Sequence, residues 1–88
     1  MNQSIQFPDQ QQWHQAKGIV VFPALNGGQL IQCHVSLNLL TQHGELADTS
    51  SDSVLALFEQ LRFDLEELAE EKIANEDFDA NGDISLTW

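Results

Sequence analysis

Along the chain, apolar residues recur first with a period of two, then with a period of three to four, then with a period of two again. Ser4-Ile5-Gln6-Phe7 alternates polar and apolar and predicts a short strand or extended arm. Pro8 ends it, because proline brings no amide donor to a ladder. Asp9 stands where it can cap a helical turn through Gln12 and Trp13, folding Trp13 back as a lid on the core. Residues 18–23 are β-rich, with Ile19, Val20, Val21 and Phe22 in succession, and residues 29–35 predict a second strand. Leu25-Asn26-Gly27-Gly28 lies between them, and Asn-Gly supplies the positive φ angles of a tight hairpin. In the second strand Ile31, Cys33 and Val35 share one face, and Leu30, Gln32 and His34 share the other.

Ser36 has the chemistry of an N-cap for a short helix over Leu37–His43 that Gly44 stops. A polar, acidic loop over residues 45–53 leads to a second cap at Ser51 or Asp52. One long helix is predicted over residues 53–75. Its apolar stripe is Val54, Leu57, Phe58, Leu61, Leu65, Leu68 and Ile73, with Glu59, Glu66, Glu67, Glu70 and Glu71 opposite. Asn81-Gly82 turns the chain into a last strand in which Ile84, Leu86 and Trp88 alternate with Asp83, Ser85 and Thr87. The order strand, strand, strand, helix, helix, strand predicts a single α+β domain over residues 1–88. It is a small two-layer sandwich, in which a mainly antiparallel sheet packs on one short and one long helix.

Charge narrows the partners. Fourteen acids face three bases, Lys17, Arg62 and Lys72, for a formal net charge of -11 in 88 residues. Nucleic acids and anionic membranes are disfavoured, since both need clustered Lys and Arg. Basic proteins or cations remain, beside the plain role of keeping a small protein soluble. Cys33 is the only cysteine, so no intrachain disulfide staples the fold. Neither a signal-peptide pattern nor a membrane-length apolar run is visible, and the expected location is the cytoplasm.

Candidate chemistry is sparse. Asp77-Phe78-Asp79-Ala80-Asn81-Gly82-Asp83-Ile84 follows an EF-hand loop through its eighth position. The twelfth position, which needs a bidentate Glu, is Trp88. The plainer reading is a Gly turn with solvated acids, and no specific calcium site is expected. His14, His34 and His43 lack zinc spacing, and Cys33 reads as a small core residue. Arg62, with Glu59 and Glu66 at helical spacing, predicts local ion pairs. Its functional reading is a clamp on an anionic ligand or partner. Phe63 lies off the stripe among glutamates, either covered by the N-terminal arm or left as a contact point.

Ile5-Gln6-Phe7-Pro8-Asp9, Trp13, Val21-Phe22-Pro23-Ala24, Asn26-Gly27, Leu30, Cys33 and Ser36 form a spaced series. Phe58, Arg62, Asp64-Leu65-Glu66-Glu67 and Ala69-Glu70 continue it. In these residues the chain resembles the small bacterial YrdB-like family, domain of unknown function fourteen-eighty-eight. The resemblance implies a small α+β domain with a hairpin, helices and a closing strand. It implies no activity. It also implies a Gly turn and an apolar final strand near the C-terminus without a fixed set of loop acids, which weakens the calcium reading.

The expected function is a non-enzymatic protein-interaction or accessory module, with no cofactor and an unknown protein partner. Its contact residues would be Phe63, Arg62, Val20, Phe22 and Trp13. The alternative is a cation-binding module using Asp77, Asp79, Asn81 and Asp83. A catalytic role ranks last, since no nucleophile, base and metal cluster stand in evident reach of one another. Residues 18–23 are apolar on both faces, Ile19 and Val21 on one, Val20 and Phe22 on the other. A sheet with helices on one side needs only one such face. Either the N-terminal segment with Trp13 or a second molecule must cover the extra one, and the balance tips toward a weak homodimer.

Overall fold

The computed structural model describes residues 5–87. Its elements are β1 (Ile5–Gln6), β2 (Gln12–His14), β3 (Ile19–Asn26), β4 (Gln29–Ser36), α1 (Leu37–His43), α2 (Ser51–Gln60), α3 (Arg62–Ala74) and β5 (Ile84–Ser85). The five strands form one mixed, mostly antiparallel sheet in the order β1-β3-β4-β5. β2 also pairs β3, along the same edge as β1. Only the β4–β5 pair is parallel. The fold is α+β, with three helices.

The β3–β4 hairpin is the centre of the sheet. Asn26 pairs Gln29, so the turn is Gly27-Gly28, with φ of 60° and 88°. Both central residues of a two-residue turn need positive φ, which glycine adopts without a Cβ penalty. The turn therefore falls one residue later than Asn26-Gly27 suggests, and β3 runs through Pro23 to Asn26 instead of stopping at Pro23. A two-residue turn makes Asn26–Gln29, Ala24–Ile31 and Phe22–Cys33 the hydrogen-bonded pairs. Pro23 and Gln32 then form a non-bonded pair, and the proline nitrogen points to the opposite neighbour. There the edge strand is interrupted: β1 pairs Leu25 and Asn26, β2 pairs Ile19, Val20 and Val21, and among the described residues nothing pairs the stretch between. A proline is tolerated in this strand because no ladder bond is asked of it.

Residues directly opposite each other project to the same face. Val20, Phe22, Ala24, Ile31, Cys33 and Val35 lie on one face, all at 0% exposure, with Ile84 of β5. Against them pack Leu40 of α1, Val54, Leu57 and Phe58 of α2, Leu65, Ala69 and Ile73 of α3, and Leu86. Phe22 and Phe58 meet at 5.1 Å between ring centroids, and Phe7 reaches Phe22 at 6.2 Å.

The helices differ from expectation at their ends. Ser36 caps α1, its Oγ accepting from the Leu39 N–H at 3.0 Å. The cap of α2 is Ser50, not Ser51 or Asp52, and its Oγ accepts from the Ser53 N–H at 3.2 Å. Gly44 does end α1, but in extended backbone. A Cβ built there would lie 2.5 Å from Leu57 Cδ1. Close packing of α1 against α2, not left-handed backbone, asks for glycine.

The predicted long helix is two helices. Leu61, at φ -101° and ψ 7°, divides α2 from α3, and its N–H is shared between Leu57 O at 3.2 Å and Phe58 O at 3.1 Å. Beyond the break the buried row is Leu65, Ala69 and Ile73, while Leu61 and Leu68 are only half-buried. At its C-terminus the Asp77 N–H reaches Lys72 O and the Glu76 N–H reaches Ile73 O, a Schellman closure with Glu76 at φ 55°.

The N-terminal segment is corrected too. Trp13 lies in strand β2 opposite Val20, not in a helical turn, and its half-buried ring packs on the core. The last strand is two residues long with Leu86 buried behind it. The Ser4 and Trp88 parts of the predicted strands lie outside the described residues.

Candidate interaction surfaces

Arg62 opens α3 and reaches across to the segment between β1 and β2. Its Nη1 donates to Gln11 Oε1 at 2.9 Å, Glu59 Oε2 at 3.1 Å and Asp9 Oδ1 at 3.2 Å. Nε donates to Glu66 Oε2 at 2.8 Å, and Nη2 to Pro8 O at 3.3 Å and, more weakly, Phe7 O at 3.5 Å. The guanidinium carbon stands 5.7 Å from the centre of the Phe58 ring. Gln11 Nε2 closes the circle on Glu59 at 2.6 Å. Burial opposes the charge, but the Glu66 hydrogen bond and the Glu59, Glu66 and Asp9 carboxylates outweigh it, and the pKa is raised. The expected Glu59 and Glu66 pairs both form. The side chain is 14% exposed and engaged internally from several sides, so its geometry is that of a clasp holding the N-terminal arm. The arm was not visible as its ligand from sequence, because these partners lie more than fifty residues away.

Val20 and Phe22 are fully buried against the helices and are not open to a partner. The other face, turned away from the helices, carries Ile19, Val21, Pro23 and Leu25 of β3, Leu30, Gln32 and His34 of β4, with Gln12 and His14 of β2 beside them; Pro23 is buried and Ile19, Val21 and Leu25 are half-buried. Ile19, Val21, Leu25 and Leu30 stand outside the core cluster. Leu30 is 57% exposed. Gln10, Gln11, Gln12, Val21, Pro23, Leu30 and Gln32 line an open groove of about 360 Å³ on this side. None of the five strands contains an Asp, Glu, Lys or Arg. Trp13 turns the other way, and its Nε1 is buried without a hydrogen-bond partner among the described residues.

Phe63 is 85% exposed, so the N-terminal arm leaves it uncovered. Asp64, Glu66, Glu67 and Glu70 surround it on α3. The arm instead packs Phe7 against the core.

The acids of the C-terminal loop are engaged separately. Asp79 Oδ1 accepts the Asn81 N–H at 2.8 Å and the Asp83 N–H at 3.1 Å. Those backbone bonds, Asp83 first, lower its pKa. Asp83 Oδ1 accepts the Gln32 N–H at 3.1 Å, and Asp77 pairs Lys72 Nζ at 3.1 Å. Among the described residues no group of three or more His, Cys, Asp or Glu is placed to hold a metal. The loop acids serve as turn and edge caps, which removes the geometric support for the cation reading. Cys33 is buried, and desolvation, with Asp83 adding to it, pushes its thiol up to about 12, out of reach of thiolate chemistry. No helix among the described residues is long and apolar enough to cross a membrane.

With fold and surfaces in view, comparison with known proteins assigns the class. The model of the family described as "Protein of unknown function (DUF1488)" matches residues 5–86, and the chain belongs to that family. It is 40% identical over 86 residues to the uncharacterized protein YrdB of Escherichia coli (strain K12), covering 98% of this chain and 99% of that one. YrdB of Shigella flexneri is 39% identical over the same length. A crystal structure of a DUF1488-family protein of unknown function from Shewanella loihica PV-4 superimposes with a TM-score of 0.90 at 38% identity, covering 98% of this chain and 94% of that one.

Proposed function

We propose that this protein is a non-enzymatic binding module whose partner docks on the outer face of α3. The observation that carries the reading is Phe63, a large aromatic at 85% exposure inside a ring of carboxylates. A single exposed apolar residue is ordinary on a protein surface. This one differs in its setting: on α3 the other large apolar residues, Leu65, Leu68 and Ile73, turn at least partly inward. An aromatic anchor within a field of one sign suits a partner with an apolar pocket rimmed by Lys and Arg. The charge draws the partner in and the ring supplies contact area. Absence of catalysis is supported by the buried thiol and by the internal engagement of the only arginine.

Photo-crosslinking in a native host tests it. A benzophenone side chain placed at Phe63 is expected to give a discrete adduct whose yield falls with added salt, while the same group at exposed Gln60 does not. Identical adduct patterns at both positions would refute the reading.

A further inference from the structure

The open face of the sheet is a separate surface, and the geometry points to a second copy of this chain as its occupant, sheet against sheet about a twofold axis. Three observations converge. First, Ile19, Val21, Leu25 and exposed Leu30 form an apolar strip around the buried Pro23, the first three only half-buried, on the face that no helix covers. Helices occupy only the other face. Second, the strip lies on strands without a charged residue, in a chain of net charge -11. The electrostatic field attracts basic partners to the acidic helices and repels acidic ones everywhere. A neutral face is matched by another neutral face, and the second copy brings one. Docking by the sheets also turns both α3 surfaces outward. Third, apart from Gln11, whose amide is taken up by Arg62 and Glu59, the polar side chains lining the groove beside the strip are the amides of Gln10, Gln12 and Gln32, with the imidazoles of His14 and His34 on the same face. An amide both donates and accepts, so a patch of glutamines can pair with its own image, as a twofold interface demands. A patch of carboxylates could not.

Leu30 is the projecting side chain. It stands beside the groove formed with Val21, Pro23 and Gln12, so a twofold arrangement can seat each Leu30 in the other protomer's groove. Asp79 and Asp83, in the loop before β5, border this face. Asp83 bonds the backbone of Gln32, and Asp79 feels the His34 side chain. Two such pairs facing each other set a weak, screenable repulsion at the margin.

Sedimentation velocity of the full chain over a wide concentration range, at low and at high sodium chloride, tests the proposal. A monomer–dimer equilibrium that tightens with salt is expected, because screening removes repulsion while apolar burial remains. Leu30→Glu should weaken the dimer by roughly tenfold or more. Leu30 is already more than half exposed, so that variant should fold, which circular dichroism checks. Val21→Thr is the milder companion at the centre of the strip and should weaken the dimer as well. A monomer at every concentration in high salt overturns the proposal. So does a dimer that survives both substitutions, since it would use another surface. Phe63→Ser should leave the equilibrium unchanged, which separates this interface from the α3 docking surface. A dimer abolished by Phe63→Ser would refute the assignment to the sheet.

Discussion

Arg62 shows how much one side chain can organise in a thin domain. Its planar fork ties α3 to residues 7–11, which lack strand pairing of their own. Lysine would keep the charge and lose the fork. Arg62→Lys should cost about 1–3 kcal/mol in urea unfolding, less than a fully buried pair because Asp9 and Glu59 are well exposed. Amide exchange should rise first at residues 7–11, and a loss spread evenly over the chain would argue against a clasp. Asp48 is a second decisive residue. Hydrogen bonds from the Ser50 and Ser53 side chains and the Ser50 backbone hold its carboxyl down to about 2. Its ordinary value is about 3.9. The folded value is depressed, so its stabilisation is complete above the unfolded value and is lost as pH falls through about 2. Carbon-detected NMR titration should place the Asp48 midpoint near that value, and Asp48→Asn should remove this part of the acid sensitivity.

Helix ends carry the next set of expectations. Gly44→Ala would gain a little by restricting the unfolded chain, about 0.4–1 kcal/mol where the backbone permits it. Its Cβ would press on Leu57 Cδ1, and Leu57 is 2% exposed with little room to yield. Overpacking should win, with a net loss of about 1–3 kcal/mol. At the other end of the helical layer, Glu76 holds a left-handed conformation and puts an acid at a helix C-terminus. Glu76→Gly relieves both and should stabilise by about 0.5–1 kcal/mol. Thermal unfolding checks both changes: a stabilised Gly44→Ala would refute the packing account, and a destabilised Glu76→Gly the account of the helix end. Leu65→Ala should cost about 2–5 kcal/mol and Leu61→Ala clearly less, since only Leu65 is fully buried.

These ends also mark what could be read from the sequence. The hairpin, α1 with its Ser36 cap, and the alternating face of β4 were legible because each is written within a few neighbouring residues. The break at Leu61 was not, for Gln60-Leu61-Arg62 contains neither Gly nor Pro. Strand β2 was hidden because Gln12 and Trp13 become a strand only by pairing with Val21 and Val20. Of the surface residues, Phe63 stood out by its place among glutamates. Val20 and Phe22 were misplaced, since a strand apolar on both faces does not say which face the helices take.

At the scale of the whole molecule, the sign of salt dependence follows from -11 charges on a small body. Sodium chloride should raise the melting temperature by screening self-repulsion. Calcium should do no more than ionic strength explains, because the loop acids are already bound to backbone amides and to Lys72. A saturable calorimetric site in the micromolar range would contradict this.

The separation of charged helices from uncharged strands makes the molecule an electrically two-faced particle. On a cationic support it should lie helices down, offering its strands to the solvent at uniform orientation. Immobilised in that pose on an amine-coated sensor, the chain would bury Phe63 and its carboxylates while leaving Leu30 free. Probes of the two surfaces would then report opposite accessibilities from one adsorbed layer.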